Sequence, residues 1–214
     1  MLCSSQSSSA KDLLVDPKTR GVDRITHRIV AAASSSSVSK AQSFLDQVCA
    51  TGARAYGSYS ELTTDPTIDI VYVATPHSYH YQNVRECLEA GMNVLCEKPI
   101  TINAAQLKIL ISIAKNNNCF LMEAVWTRYL PISTYIYDTI SSGRIGNVLR
   151  VISDCSFSIG PTDAEHRLIN PNLAGGALLD LGVYSLAWPF LALHLSQSID
   201  SRAPPEVLSI MQKV

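Results

Sequence analysis

Ile68-Asp69-Ile70-Val71-Tyr72-Val73-Ala74, running on into Thr75-Pro76-His77-Ser78-Tyr79-His80, is the stretch that decides the fold. It is β-branched and nearly all apolar, with no polar residue at alternate positions after Asp69. A strand of that kind belongs to a parallel sheet covered on both faces. Working forward, Tyr81 to Ala90 reads as a helix closed by Gly91, and Asn93 to Cys96 as the next strand. Ala104 to Lys115 is a helix with Leu107, Leu110, Ile111 and Ala114 on one face, and Cys119 to Met122 is again a strand. Working backward, His27 to Ala33 is a strand and Ser34 to Ser37 a polar turn with Ser37 as N-cap. Val38, Ala41, Phe44, Leu45, Val48 and Cys49 then fall at helical spacing, Gly52 ends the run, and Arg54 to Tyr56 is a short strand. Strand and helix alternating at this rhythm build βαβ units and a doubly wound parallel sheet, an α/β fold.

After residue 124 the rhythm changes. Pro131 to Ser142 reads as a helix ended by Gly143, and Val148 to Phe157 as a long strand. Residues 159–174 read as a polar loop, Gly175 to Leu195 as a long apolar helix, and Glu206 to Gln212 as the start of a last strand. This is the opening of an α+β domain. At the other end, residues 1–10 are Ser-rich and read as a disordered or replaced tail; Lys11 to Val15 is a short helix and 18–26 a loop.

Composition narrows the function. The 214 residues carry 17 Lys+Arg and 18 Asp+Glu, too balanced a charge for a general polyanion binder. The apolar fraction of 47% excludes a mostly disordered chain. No stretch reaches the ~20 uncharged apolar residues of a membrane helix. The start lacks a basic n-region and an apolar core, so the expected location is the cytoplasm. Six irregularly spaced cysteines, with no CxxC pair, read as small apolar residues in a reducing compartment. His77 and His80 are the one close histidine pair, and without further ligands they make no zinc site.

In a doubly wound sheet, ligands bind beyond the carboxyl ends of the strands. Three such ends stand out: Ser34 to Ser37, Thr75-Pro76-His77, and Glu97-Lys98-Pro99. Pro99 restricts Lys98 to an extended geometry at the crevice mouth. A lysine there, partly desolvated, suits a proton relay or substrate orientation, although a surface lysine at a strand end reads the same way. Asp180 and Tyr184, four apart, share one face of an otherwise apolar helix. A buried ionised Asp must be compensated, either by a polar substrate or by backbone donors. Thr75, Pro76, His77 and His80 are candidates to face a dinucleotide, with an ordinary loop and a packed His80 as the plainer reading. Trp126 and Arg128 are candidates to line the same crevice, with interdomain packing as the alternative.

Taken in order, Val71 to His80 and Ala90 to Pro99 resemble the glucose–fructose oxidoreductase / inositol dehydrogenase (Gfo/Idh/MocA) family. Glu123-Ala124-Val125-Trp126-Thr127-Arg128 and Gly175-Gly176-Ala177-Leu178-Leu179-Asp180-Leu181-Gly182-Val183-Tyr184 are similar to its dimeric dihydrodiol dehydrogenase and NADP-dependent D-xylose dehydrogenase branch. The likeness spans roughly residues 11–214. It implies a Rossmann-type dinucleotide domain over 11–124 and part of an open-sheet substrate domain over 125–214. It implies oxidation of a sugar or cyclic diol hydroxyl by hydride transfer, with Tyr184 as acid/base, Lys98 assisting and Asp180 holding the substrate. The residues expected to bind cofactor are Ser34, Ser35, Thr75, Pro76, His77, His80, Glu97, Lys98, Trp126 and Arg128. A small-molecule substrate and a homodimer complete the expectation, with no nucleic acid or membrane partner.

The chain also departs from that pattern. No strand with a glycine-rich phosphate loop precedes Lys11, and the last strand is barely begun, so the sequence looks truncated at both ends. The Rossmann sheet is therefore expected to be incomplete, lacking its first strand and the N–H cradle for the pyrophosphate. Ser34 to Ser37 offer no carboxylate to a ribose hydroxyl, which disfavours NAD; the hydroxyls with Lys40 nearby suit the 2′-phosphate of NADP. Two rivals stand beside the dehydrogenase reading. One is an inactive remnant that acts by association with another chain; the other is an accessory oxidoreductase of a specialised metabolite pathway.

Overall fold

The computed structural model describes residues 27–156, 158 and 163–210. The expected tail, helix and loop over residues 1–26 lie outside them. The chain forms two compact units. One comprises residues up to Ala74 with His80–Cys96 and Ala105–Met122; the other comprises Thr75–Tyr79, Glu97–Ala104 and Glu123–Val214.

The first unit is parallel α/β. In chain order come β1 (Ala31–Ala33), α1 (Val38–Gln47), β2 (Arg54–Tyr56), α2 (Tyr59–Thr63) and β3 (Ile70–Val73). Next are α3 (His77–Glu89), β4 (Asn93–Cys96), α4 (Ala104–Asn116) and β5 (Leu121–Glu123). Ser37 caps α1 by accepting the Lys40 N–H at 3.2 Å, and Gly91 leaves α3 at φ +79°. Leu45, Val84, Leu88, Val94 and Leu110 are fully buried and fill the core.

β1 pairs in parallel with β2, placing Ala31 opposite Arg54, and β3 pairs in parallel with β4, placing Ile70 opposite Asn93. The two sheets are separate, ordered β1-β2 and β3-β4-β5. A doubly wound sheet of order 3-2-1-4-5-6 that lacks its first strand falls into these two pieces. Among the described residues the strands thus stand in two pieces, in the arrangement expected from sequence. β3 itself differs from expectation. Val73 is buried, but Ile70 and Tyr72 are 44% and 55% exposed, so one face of the strand is open rather than covered. Among the described residues β3 has a neighbour on one side only.

Asp65 ties β2 to the turn before β3. It accepts from Arg54 (2.7 Å), from the Thr67 N–H (2.9 Å) and hydroxyl (2.8 Å), and from the Tyr56 hydroxyl (2.9 Å). Burial opposes its ionisation, but the Thr67 and Tyr56 donors and the Arg54 charge hold its carboxyl below the usual range.

The second unit is mostly helical. It holds a 3₁₀ turn at Trp126–Tyr129, α5 (Pro131–Ser141), a 3₁₀ turn at Pro171–Leu173, α6 (Ala177–Asp180) and α7 (Gly182–Pro189). A π-helical turn at Phe190–Leu195 and a 3₁₀ turn at Ile199–Ser201 follow. The expected helix over Gly175 to Leu195 is therefore segmented. Pro189 has no N–H to give, and the ladder shifts to wider π spacing just after it. The strands expected at Val148 to Phe157 and Glu206 to Gln212 do not form over 147–156 and 202–210; Phe157 and 211–212 lie outside the described residues. A strand exists only through a neighbour's ladder. Here none is supplied by the described residues, and Leu149 and Leu208 stand 93% exposed.

Two further features bear on the composition. The 25-residue helical run Pro171–Leu195 holds an 18-residue window of mean hydropathy 1.5, long and apolar enough to cross a membrane by length and composition alone. The sequence reading missed it because Asp180 interrupts the apolar run. Cys49 is disulfide-bonded, whereas Cys87, Cys96, Cys119 and Cys155 are thiols. Pairing between distant cysteines cannot be deduced from their spacing.

Candidate active site

β4 delivers Glu97 and Lys98 into the second unit, where Asp180 sits at the end of α6 and Tyr184 in the first turn of α7. The Lys98 ammonium donates to the Asp180 main-chain carbonyl at 2.6 Å and to its Oδ1 at 2.8 Å. Both side chains are nearly buried, 11% and 12% exposed. The same ammonium lies over the Tyr184 ring, 5.0 Å from its centroid. Lysine and phenol thus converge in one place, by a cation–π contact rather than a direct hydrogen bond.

Two further groups face the Asp180 carboxylate. Arg167 Nη1 is 3.7 Å and His77 Nε2 is 3.9 Å from Oδ1. His77 Nδ1 lies 3.3 Å from the Ala174 carbonyl, which makes Nδ1 the donor and fixes the ring. Burial works against a charged Asp180, yet the Lys98 hydrogen bond and charge, with Arg167 and His77 behind them, hold its carboxyl below the usual range. Asp180 is therefore an anion at neutral pH, compensated by the hydrogen-bonded Lys98 ammonium with the Arg167 guanidinium and the His77 ring close by.

The loop that brings Arg167 and Ala174 here turns on one glycine. A Cβ at Gly175 would lie 2.9 Å from the Arg167 carbonyl oxygen, the Asn170 nitrogen and the Asn170 carbonyl oxygen. Only glycine allows that approach. Buried Asn170 completes the loop, accepting the Asn172 N–H and donating to Glu165, both at 2.9 Å.

On the other side stands Trp126. Its indole N–H donates to the Tyr184 hydroxyl at 3.0 Å, with the rings edge-on at 5.8 Å and 65°. The turn carrying it is anchored by buried Val125 and by the Ser133 hydroxyl on the Thr127 carbonyl. Glu123 supports the loop after Lys98 by accepting the Ile100 N–H at 2.9 Å, and Glu97 accepts the Lys98 N–H at 3.1 Å.

Of the residues singled out from sequence, Lys98, Asp180, Tyr184, Trp126 and His77 come together. Thr75, Pro76 and Glu97 flank them along the chain in the same unit, and Arg128 is exposed on the Trp126–Tyr129 turn. Ser34, Ser35 and His80 belong to the other unit. His80 is fully buried on the α3 face shared with Val84, Cys87 and Leu88, so it offers a cofactor no surface. Ser34 is buried, and its hydroxyl meets Ser36 Oγ at 3.0 Å and accepts the Ser36 N–H at 3.3 Å. Ser35 is exposed. Sequence reasoning missed Arg167 and the Ala174 carbonyl. The available signal was Gly175-Gly176 ahead of α6, since adjacent glycines mark close backbone approach.

Residues 16–125 match the model of the Gfo/Idh/MocA oxidoreductase family, described by its NAD-binding Rossmann fold. D-xylose 1-dehydrogenase (NADP(+)) from Hypocrea jecorina is 52% identical over 208 residues, covering 93% of this chain and 53% of that protein. Trans-1,2-dihydrobenzene-1,2-diol dehydrogenase from Xenopus tropicalis is 40% identical over 160 residues, covering 75% of this chain and 47% of that protein. The chain thus spans about half the length of the curated relatives it matches. Among solved structures, the aldose-aldose oxidoreductase of Caulobacter crescentus, complexed with glycerol, superposes with a TM-score of 0.70. It is 30% identical, over 78% of this chain and 50% of that one. A 3-ketoreductase from Actinomadura kijaniata with NADP and TDP-benzene gives a TM-score of 0.65 at 29% identity, over 78% of this chain and 50% of that one.

Proposed function

Because the chain belongs to the oxidoreductase family with the NAD-binding Rossmann fold, we propose that it oxidises a hydroxyl of a D-xylose-like sugar or a trans-dihydrodiol with NADP as hydride acceptor. The observation that carries this reading is the Lys98–Asp180–Tyr184 cluster at the carboxyl end of a parallel strand. The substrate class follows the names of the two dehydrogenase relatives. Cytoplasmic location and a homodimer belong to the same proposal.

The described residues fit such a dinucleotide at one end only. Thr75-Pro76-His77 and Glu97-Lys98 lie past the ends of β3 and β4, where a doubly wound sheet holds its ligand. The Ser34 hydroxyl is already engaged with Ser36, and no glycine-rich turn joins a strand to a helix among the described residues. When bound, the nicotinamide would supply the hydride acceptor.

The chain's own groups handle charge and the proton. Asp180 fixes the Lys98 ammonium, and the ammonium lies on the face of the phenol. Among the described residues the Tyr184 hydroxyl meets no hydrogen-bond acceptor, so its proton is available to a substrate oxygen. In oxidation Tyr184 first gives that proton to solvent; the substrate O–H bond then breaks and a new O–H bond forms on the phenolate oxygen, Tyr184 Oη. Acid/base catalysis of this kind contributes about 10²–10⁴ in rate.

The test is reduction of NADP by the 214-residue chain with D-xylose or trans-dihydrobenzenediol, followed through nicotinamide absorbance. Tyr184→Phe is expected to lower the rate by about 10²–10⁴. Equal rates in the two proteins, or none in either, overturn the proposal. NADP itself is expected to bind weakly, with a Kd of about 1 mM or above, roughly −4 kcal/mol; micromolar affinity by calorimetry would show that the pyrophosphate is cradled by other residues.

A second reading rests on the split sheet. The position of β3 at the edge of its sheet and the separate β1-β2 sheet, among the described residues, favour a chain that acts without turnover, by strand pairing with another chain. On that reading Lys98→Ala and Tyr184→Phe leave its cellular effect unchanged.

A further inference from the structure

We infer that Trp126 is a positioning residue for the Tyr184 hydroxyl, an inference that rests on the reading of Tyr184 as the acid/base. An indole N–H is a donor only. At 3.0 Å it therefore makes the Tyr184 oxygen the acceptor and leaves the phenolic proton to point elsewhere. Unaided, a phenol O–H rotates about its C–O bond and offers either its proton or its lone pairs to a ligand. The indole removes that choice by occupying a lone pair.

Packing does not account for the contact. Trp126 is 55% exposed, so its ring is not placed by burial in a core. Its turn is held from both sides, by Val125 beneath and by the Ser133–Thr127 hydrogen bond beside it, and α7 packs against that turn. The phenol is thus fixed on its face by the Lys98 ammonium at 5.0 Å and at its oxygen by the indole. When Tyr184 gives up its proton, the same N–H faces the growing negative charge, and a hydrogen bond to a charged acceptor is about twice as strong as a neutral one. The indole therefore favours the phenolate that takes the substrate's proton in oxidation, and its loss falls on turnover rather than on substrate binding.

The chain has two tryptophans, so its ¹⁵N spectrum carries two indole signals, and Trp126→Phe identifies which belongs to Trp126. Tyr184→Phe is expected to move the Trp126 indole N–H upfield and leave that of Trp188 in place. A Trp126 signal indifferent to Tyr184→Phe overturns the inference. In turnover, Trp126→Phe is expected to lower kcat about tenfold, with KM changed less than about twofold. A raised KM with unchanged kcat overturns it too, making Trp126 a wall of the substrate site. If neither sugar nor diol is oxidised, it is the dehydrogenase proposal that fails, and the indole signal still decides whether Trp126 holds the phenol.

Discussion

Asp65 and Asp180 are both buried carboxylates, and both are held below the usual carboxylate range against the pull of burial. Their partners differ in kind. Asp65 is filled mostly by neutral donors close in sequence, Thr67 and Tyr56, with one half-exposed arginine. Both of its carboxylate oxygens accept hydrogen bonds that join a strand to a turn. Asp180 faces ionisable groups from three distant segments: Lys98, Arg167 and His77. Its ammonium partner also touches a phenol. A carboxylate that only holds a fold together needs no such gathering of ionisable groups; on the proposed function, that gathering is what separates Asp180 from a staple such as Asp65.

Substitutions test that contrast. Asp180→Asn is expected to lower turnover by about 10² or more, because Lys98 loses its anchor and the reacting groups drift. Asp65→Asn is expected to leave turnover within about twofold, since no site group touches it, while lowering the thermal midpoint by a few degrees. If the two variants lose activity equally, the contrast between them is wrong. A smaller effect is read from acid. Both depressed carboxylates stabilise the fold above the unfolded value of about 3.9, and that contribution is lost as pH falls through their lower folded values. Urea midpoints measured from about pH 6 downward should therefore fall more steeply for the parent chain than for either Asn variant. A slope unchanged by Asp180→Asn would mean that its ion pair adds no stability. The smallest effect comes from Cys87, where burial meets no answering cation and pushes the thiol up to about 12. It should resist alkylation in the native chain at mildly alkaline pH, whereas partly exposed Cys119 and Cys155 react; mass spectrometry of the labelled peptides decides this.

What sequence revealed follows the range of the forces involved. The strand and helix alternation from β1 to β5 was legible because each element carries its own periodicity and its own stop, as Gly52 and Gly91 show. Lys98, Asp180 and Tyr184 were legible as polar residues at a strand tip or on an apolar helix. The segments at 147–156 and 202–210 were misread because alternation states a preference for pairing, whereas a ladder needs a partner from elsewhere. His80 follows the plainer of its two readings, packing, because Val84, Cys87 and Leu88 recur at helical spacing after it on the buried face of α3. Arg167 was invisible because nothing local to an arginine in a polar loop tells which carboxylate it will meet.

Gly175 gives this site a point of unusual mutational leverage. One added methyl group there would strike three main-chain atoms at once. It would lift Arg167 and the Ala174 carbonyl away from His77 and Asp180 without altering any side chain that handles charge. The narrowest tolerance in the second unit thus belongs to a residue with no functional group, and a variant at that position would resemble loss of the arginine and of the histidine's anchor together.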